Sequence, residues 1–397
     1  MRVLLSLYNV YTEYTSGAAR SVRTMMEWLA ASGHQCQVLS TATFESTPGA
    51  ELLMHLAALG VTVHDAGSPG TCTVYDYELS GVAVRALENR HHPPELDRAE
   101  GNQFDDLMVD RLKAFRPDLL LTYGGHPVLQ LALERARAAQ VTTMRTLRAY
   151  GYEDHRWFGH ADRVLCASEY LANHYRARIG LHSTALPSPI IWSDVQGTED
   201  TRGFLTFVNP SPHKGLALFA RLADMLGSAR SDIPILIVQS ASGAGALTEI
   251  GGLDLARYPQ IVVSEPIPDA RDLFSLTKIL LVPSIFHEPF GRVAAEAMIN
   301  GIPALVSDRG ALPETVAEGG VVVPVPAWME PAGRAVPDAE EVQPWFDAVT
   351  NLWDDDAAYR RVAEAARGAA HRLYAEDVLR ARYEAYFTAP GPYETLF

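Results

Sequence analysis

The chain has 397 residues, 48% hydrophobic and 20% charged, with a formal net charge of −15 at pH 7. That length suits two domains rather than one core, and the acidic balance argues against nucleic acid or a broad anionic membrane surface as partner. No apolar run approaches the roughly 20 residues of a membrane-spanning helix, and MRVLLSLYNVY enters a strand without the features of a signal peptide. Cys36, Cys72 and Cys166 lie far apart with no metal-ligand spacing, as expected for structural thiols in a reducing cytoplasm.

In chain order, RVLLSLY (2–8) reads as a strand, 18–31 as a helix and GHQCQVLST as a second strand. A helix closed by Gly60 and the strand VTVHD follow, giving a βαβαβ alternation that predicts a parallel doubly wound sheet. Residues 71–87 alternate and turn near Ser80-Gly81, a hairpin-like excursion, and ENRHHPPELDRAEGN reads as an exposed loop before a helix over 104–115. PDLLLTY, a helix over 126–140, VTTMRTL and a strand–helix pair from Ala161 to Gly180 continue the alternation, which a short strand over 185–190 completes. The polar stretch 192–203 marks a domain boundary. A second α/β alternation then runs from GFLTFVNP to GGVVVP, and residues 338–387 are helical by pattern.

One stretch in the second half carries the most chemistry: ILLVPSIFHEPFGRVAAEAMINGIPALVSDRGALPE, read as strand, loop, helix, strand, loop. Glu288 precedes the short helix and Glu296 sits on its second turn, roughly 7 Å along the axis from the helix start at 1.5 Å per residue. The helix start at Phe290-Gly291 offers unpaired backbone N–H groups and a positive dipole end, a seat for phosphate. Carboxylates beside a phosphate seat make sense where the ligand also carries hydroxyls. The stretch therefore suggests a sugar at one end, a ribose at the other and a diphosphate between.

HEPFGRVAAEA, with PS before it and AxEAMxxGxPALVSDxGALPE after it, resembles the Glu-x7-Glu motif of the family 4 retaining glycosyltransferases, which have the GT-B fold. The resemblance covers most of the chain, tightly over 204–326 and loosely in the first half. It implies an α/β fold of two doubly wound, Rossmann-like domains facing a central cleft. Residues 1–192 would form the acceptor-side domain, with a C-terminal helix (376–397) packing back on it, and 193–375 the nucleotide-sugar domain. It implies a metal-independent hexosyltransferase with no cofactor beyond a nucleotide-diphosphate sugar as co-substrate, UDP- favoured over GDP-. The acceptor is expected to be a soluble small molecule, with no nucleic acid and no membrane partner.

On that reading Lys214, in FVNPSPHKGL after a strand, reaches the diphosphate, Glu288 contacts the donor sugar and Glu296 holds the ribose. The family usually has an arginine five positions before the lysine; here that position is Asn209, so His213 or Arg292 is a candidate for the missing charge. Gly17, in SGAA after the first strand, is either a close-approach glycine for the donor or a turn glycine opening a helix. His126, after LTYGG, is either a base or sugar contact or a helix cap. Arg145 and Arg148 are placed in the turn after a strand, as acceptor-side candidates for an anion. Ser242, Gly243 and Gly245 form a small-residue loop, and Asp354, Asp355 and Asp356 spell a metal motif better explained by helix-dipole preference. A nucleotide-sugar epimerase on the same scaffold and a non-catalytic sugar-nucleotide or glycan-binding protein are the alternatives.

Overall fold

The computed structural model describes residues 1–13, 16–44, 52–67, 72–89, 96–198, 201–239, 245–331, 333–389 and 396–397. Contacts divide the chain into two units, Met1–Pro189 with Arg380–Phe397, and Ile190–Leu379.

The first unit contains β1 (Arg2–Leu7), α1 (Gly17–Ala31), β2 (Gln35–Thr41), α2 (Leu52–Ala58), β3 (Val63–Gly67), β4 (Val74–Leu79), β5 (Val82–Leu87), α3 (Arg98–Phe115), β6 (Leu119–Tyr123), α4 (Pro127–Ala138), β7 (Thr142–Leu147), β8 (Arg163–Cys166), α5 (Glu169–Ile179) and β9 (Thr184–Ala185). Its sheet has the order β3-β4-β5-β2-β1-β6-β7-β8-β9. The strands from β5 to β9 in that order are parallel, and strand residues such as Leu4, Leu39 and Leu120 share one core with Phe104 and Met108 of α3 and Leu133 of α4.

Two expectations are corrected here. VTVHD does not sit beside β2. β3 pairs antiparallel with β4 at the sheet edge, and β5 takes the place next to β2. Ser80 (φ 51°) and Gly81 (φ 76°) form a two-residue turn with both φ positive, the geometry that closes a twisted hairpin, so the excursion is built into the sheet. Helix α3 also starts at Arg98, six residues before the expected position. The Asp97 carboxylate accepts from Glu100 N at 2.8 Å and Glu100 accepts from Asp97 N at 3.0 Å, a capping box inside what reads as a polar loop.

The second unit contains β10 (Phe204–Val208), α6 (Leu216–Ala229), β11 (Ile235–Val238), α7 (Gly245–Glu249), β12 (Ile261–Ser264), α8 (Ala270–Leu276), β13 (Thr277–Val282), α9 (Arg292–Ile299), β14 (Ala304–Ser307), α10 (Leu312–Val316), β15 (Val321–Val323), α11 (Ala339–Asp354) and α12 (Asp356–Tyr374). The last helix, α13 (Glu376–Thr388), begins in this unit and ends in the first. Its later part is tied to the first unit: Tyr383 donates to Pro187 O at 2.8 Å, and Arg163 donates to Tyr386 O at 2.5 Å. The second sheet is all parallel, in the order β12-β11-β10-β13-β14-β15. Such strands are covered on both faces and so read as apolar runs, ILIV and KILLV among them. Phe207, Phe219, Leu281 and Trp345 lie in its core.

Of the triple aspartate, Asp354 accepts from Arg230 at 2.6 Å and Asp355 caps α12 by accepting from Ala357 N and Ala358 N. Both are structural roles. Among the described residues no group of three or more His, Cys, Asp or Glu is placed to hold a metal ion, and no described helix is long and apolar enough to cross a membrane.

Candidate active site

In a parallel α/β sheet, ligands bind at the carboxyl ends of the strands. In the second unit that edge carries the loops after β10, β13 and β14. β10 and β13 are neighbours, and their loops are joined by backbone: His213 O accepts from Ile285 N at 3.0 Å and Phe286 N at 3.1 Å. What His213 supplies here is its carbonyl. Gly215 (φ 85°) makes this approach possible, because a Cβ there would land on the Pro283 carbonyl. Asn209, where an arginine was expected, adopts φ 62° at the end of β10. Asparagine tolerates that left-handed conformation better than most residues, so the position is one of chain reversal.

This bracing brings Lys214 and Glu288 together, 74 residues apart in sequence. Lys214 Nζ donates to Glu288 Oε1 at 2.5 Å, and Ser284 Oγ donates to the same oxygen at 2.7 Å. Among the described residues nothing donates to Glu288 Oε2. The carboxylate is 8% exposed and the lysine 33%, so the pair lies at the rim of the site. The Glu288 backbone is fixed as well: it forms a parallel bridge with Gly310, and its carbonyl accepts from Ala311 N at 2.8 Å. Gly310 has φ 65°, and a Cβ on it would fall onto the Glu288 backbone. Ser307 Oγ donates to Ser284 O at 2.6 Å, so the end of β14 positions the serine that positions the glutamate. Ser284, Ser307 and Gly310 escaped the sequence reading. Only PS before the motif and DRG after it pointed to them, and neither spacing encodes a contact.

Helix α9 is preceded by Gly291 at its N-cap, which has φ 89° and makes no side-chain cap bond. Its first-turn N–H groups therefore meet no capping side chain, consistent with a place for an anion. Phe290 is buried edge-on against Tyr374, with ring centroids 5.8 Å apart. It anchors the loop, and what it can offer a ligand is backbone. Arg292 Nε donates to Glu296 Oε1 at 2.7 Å, one helical turn apart, with side chains 11% and 6% exposed. Glu296 is thus held by Arg292 before any ligand arrives.

The candidates in the first unit are built differently. Gly17 is the first residue of α1, behind the Ser16 cap whose hydroxyl accepts from Ala19 N. His126 caps α4: its Nδ1 accepts from Val128 N at 3.3 Å and its ring stacks on Tyr8 at 3.9 Å with 4° between planes. Arg145 lies inside β7 rather than in the turn beyond it. It is fully buried, donating through Nη1 to Gly124 O at 2.8 Å and packing near the Tyr152 and Trp157 rings. Its Nε and Nη2 have no hydrogen-bond partner among the described residues, and burial pulls the guanidinium down to about 10. Arg148, just past the strand, donates to Ser188 Oγ at 2.8 Å. Ser242 and Gly243 lie outside the described residues, and Gly245 opens α7.

The model of the Glycosyl transferases group 1 family matches residues 192–368, and that of Glycosyltransferase Family 4 matches residues 15–188. Among curated proteins, the chain is 28% identical over 187 residues to a D-inositol 3-phosphate glycosyltransferase of Corynebacterium urealyticum, covering 45% of this chain and 41% of that protein. It is 30% identical over 153 residues to that of Streptomyces avermitilis, covering 36% and 30%. The chain thus spans well under half the length of these relatives. Among solved structures, sucrose-phosphate synthase from Thermosynechococcus elongatus superposes with a TM-score of 0.65 at 18% identity, covering 98% of this chain and all of the other. Anabaena Alr3699/HepE in complex with UDP-glucose gives 0.68 at 14% identity with the same coverage. These likenesses show the fold. With the two family models abutting across both units, the chain belongs to the family 4 glycosyltransferases and has the GT-B fold.

Proposed function

We propose that the protein is a retaining glycosyltransferase that moves a hexose from a nucleotide-diphosphate sugar, UDP- favoured over GDP-, to a soluble small-molecule acceptor. The observation that carries this reading is the Lys214–Glu288 pair at the carboxyl edge of the second sheet, beside the uncapped start of α9. The complex of Anabaena HepE with UDP-glucose supports the choice of donor, and the name of the D-inositol 3-phosphate relatives supports a small hydroxyl-bearing acceptor.

In the reaction the bond between the anomeric carbon and the diphosphate oxygen breaks and one to an acceptor oxygen forms on the same face. The acceptor proton passes to the departing phosphate, so no protein base is required. Lys214 and the α9 N–H groups meet the charge that grows on the leaving diphosphate, which is where fixed positive groups lower the barrier most. Glu288 accepts a donor-sugar hydroxyl through Oε2, held in place by Ser284. Glu296 turns from Arg292 to the ribose, or shares it, and Arg292 then stands beside the diphosphate in place of the arginine replaced at Asn209. No metal or further cofactor enters the scheme, and the three buried thiols suit a reducing cytoplasm.

Incubation with UDP- and GDP-sugars, with and without a panel of polyols and their phosphates, tests this. Acceptor-dependent release of UDP with an α-linked product from an α-linked donor is the expected result. Interconversion of donor epimers without nucleotide release identifies an epimerase instead, and binding without turnover a binding protein.

A further inference from the structure

Helix α10 braces the chain that leads into α9. Ala311, just before α10, donates its N–H to Glu288 O at 2.8 Å, and the Thr315 hydroxyl donates to Phe290 O. Leu312 packs close beside them: a Cβ on Gly291 would fall 2.5 Å from its Cδ2. One turn of helix therefore takes up the carbonyls on both sides of Pro289. In a trans peptide the C=O and the N–H that follows it point in opposite directions. A hydroxyl fixed on Phe290 O thus turns the Gly291 N–H away from α10. That N–H is the first of the donors at the start of α9.

Thr315 is itself held. It lies in the last turn of α10, where carbonyls have no partner within the helix, and its carbonyl accepts from the Tyr374 hydroxyl at 2.6 Å. Tyr374 closes α12, and its own carbonyl accepts from the Trp192 indole at 2.8 Å. The Tyr374 ring also meets Phe290 edge-on. Tyr374 therefore touches both partners of the Thr315–Phe290 bond. All three residues are buried. Burial pushes the Tyr374 hydroxyl above its ordinary range, so it stays a donor at neutral pH.

We propose that Thr315 and Tyr374 are positioning residues of the donor site, which fix the Phe290–Gly291 peptide so that its N–H faces the diphosphate. The inference rests on the reading of the α9 start as the diphosphate seat, and extends it to two residues that lie behind that seat.

The test is calorimetric titration of UDP and of uridine into the full chain and into Thr315→Val, Thr315→Ser and Tyr374→Phe. The ratio of the two affinities is the readout. A general loosening of the unit weakens both ligands, whereas a misaimed N–H weakens only the one that carries phosphate. Expected in Thr315→Val is a fall in UDP affinity of roughly three- to tenfold, the scale of one hydrogen bond, with uridine unchanged. Thr315→Ser keeps the hydroxyl and restores the ratio. Tyr374→Phe keeps the ring and loses only the bond to Thr315; it gives a smaller fall in the same direction and carries the test if Thr315→Val does not fold. A wild-type ratio in Thr315→Val or in Tyr374→Phe, or a ratio that falls as far in Thr315→Ser as in Thr315→Val, overturns the proposal. If the wild type itself binds UDP no tighter than uridine, the donor-site reading falls and the proposal with it. A wild type that prefers UDP, with the same preference in Thr315→Val, leaves that reading standing and removes only the proposal.

Discussion

The carboxyl edges of the two sheets solve the problem of holding charge in opposite ways. In the second unit each cation has its anion: Lys214 meets Glu288, and Arg292 meets Glu296. In the first unit Arg145 is more deeply buried than any of these and meets one carbonyl and two aromatic faces. A buried charge without a counter-charge is expensive, whereas a paired one at a rim is inexpensive and can exchange partners. The paired charges of the second edge suit the proposed donor site, while the first edge spends stability to keep a cation in its sheet.

Glu288→Ala gives the largest expected effect on that contrast. It removes the hydroxyl acceptor and the partner of Lys214, and turnover should fall by about 10³-fold, the scale set by losing one fixed transition-state contact. Thermal stability should change little, since Lys214 is one-third exposed. Normal nucleotide release by a folded variant sinks the assignment. Gly310→Ala comes next. The new Cβ meets the Glu288 backbone at a left-handed φ, and a loss of about 3 kcal/mol in denaturant unfolding is expected from strain and overpacking together. A loss under about 1 kcal/mol shows that the Glu288 loop is not braced there.

Glu296→Ala is expected to weaken UDP binding by about tenfold to a hundredfold, as for hydrogen bonds to a charged group. It also leaves Arg292 without its carboxylate, so Glu296→Gln, which keeps an acceptor, should lose less. Equal calorimetric affinities for UDP in wild type and both variants contradict a ribose role. Arg145→Met carries the smallest effect. Exchanging a poorly partnered buried charge for an apolar side chain of similar length should shift unfolding by no more than about 1 kcal/mol, or stabilise. A loss of about 3 kcal/mol or more shows that the guanidinium is better satisfied than its contacts indicate, and removes the contrast between the two edges.

Much of this was legible in the sequence where the cause is local. Helix α9 announced itself through apolar spacing and Asn300-Gly301, and the parallel strands through their apolar runs. Glu288, Glu296 and Lys214 stood out because each follows a strand, where ligands of such sheets bind. The tertiary causes were not legible. Nothing in the spelling says that the His213 carbonyl joins two loops, or that Gly310 makes room for the Glu288 backbone. Arg145 already falls within VTTMRTL, the stretch that reads as a strand, so the turn assigned to it conflicted with that strand and its burial went unread, and β5 took the place of β3 because pairing depends on which partner a hairpin brings alongside. Helix α3 was the reverse case: the Asp97…Glu100 cap was present in the sequence but hidden by the prolines before it.

The central claim is that Lys214, Glu288 and the start of α9 hold the diphosphate of a nucleotide sugar. Calorimetric titration of UDP and of uridine into the wild type and into Lys214→Ala tests it most directly. The account predicts that UDP binding weakens by about tenfold or more in Lys214→Ala, the equivalent of ~1.4 kcal/mol, with uridine binding unchanged. UDP binding that is equal in the two proteins contradicts it.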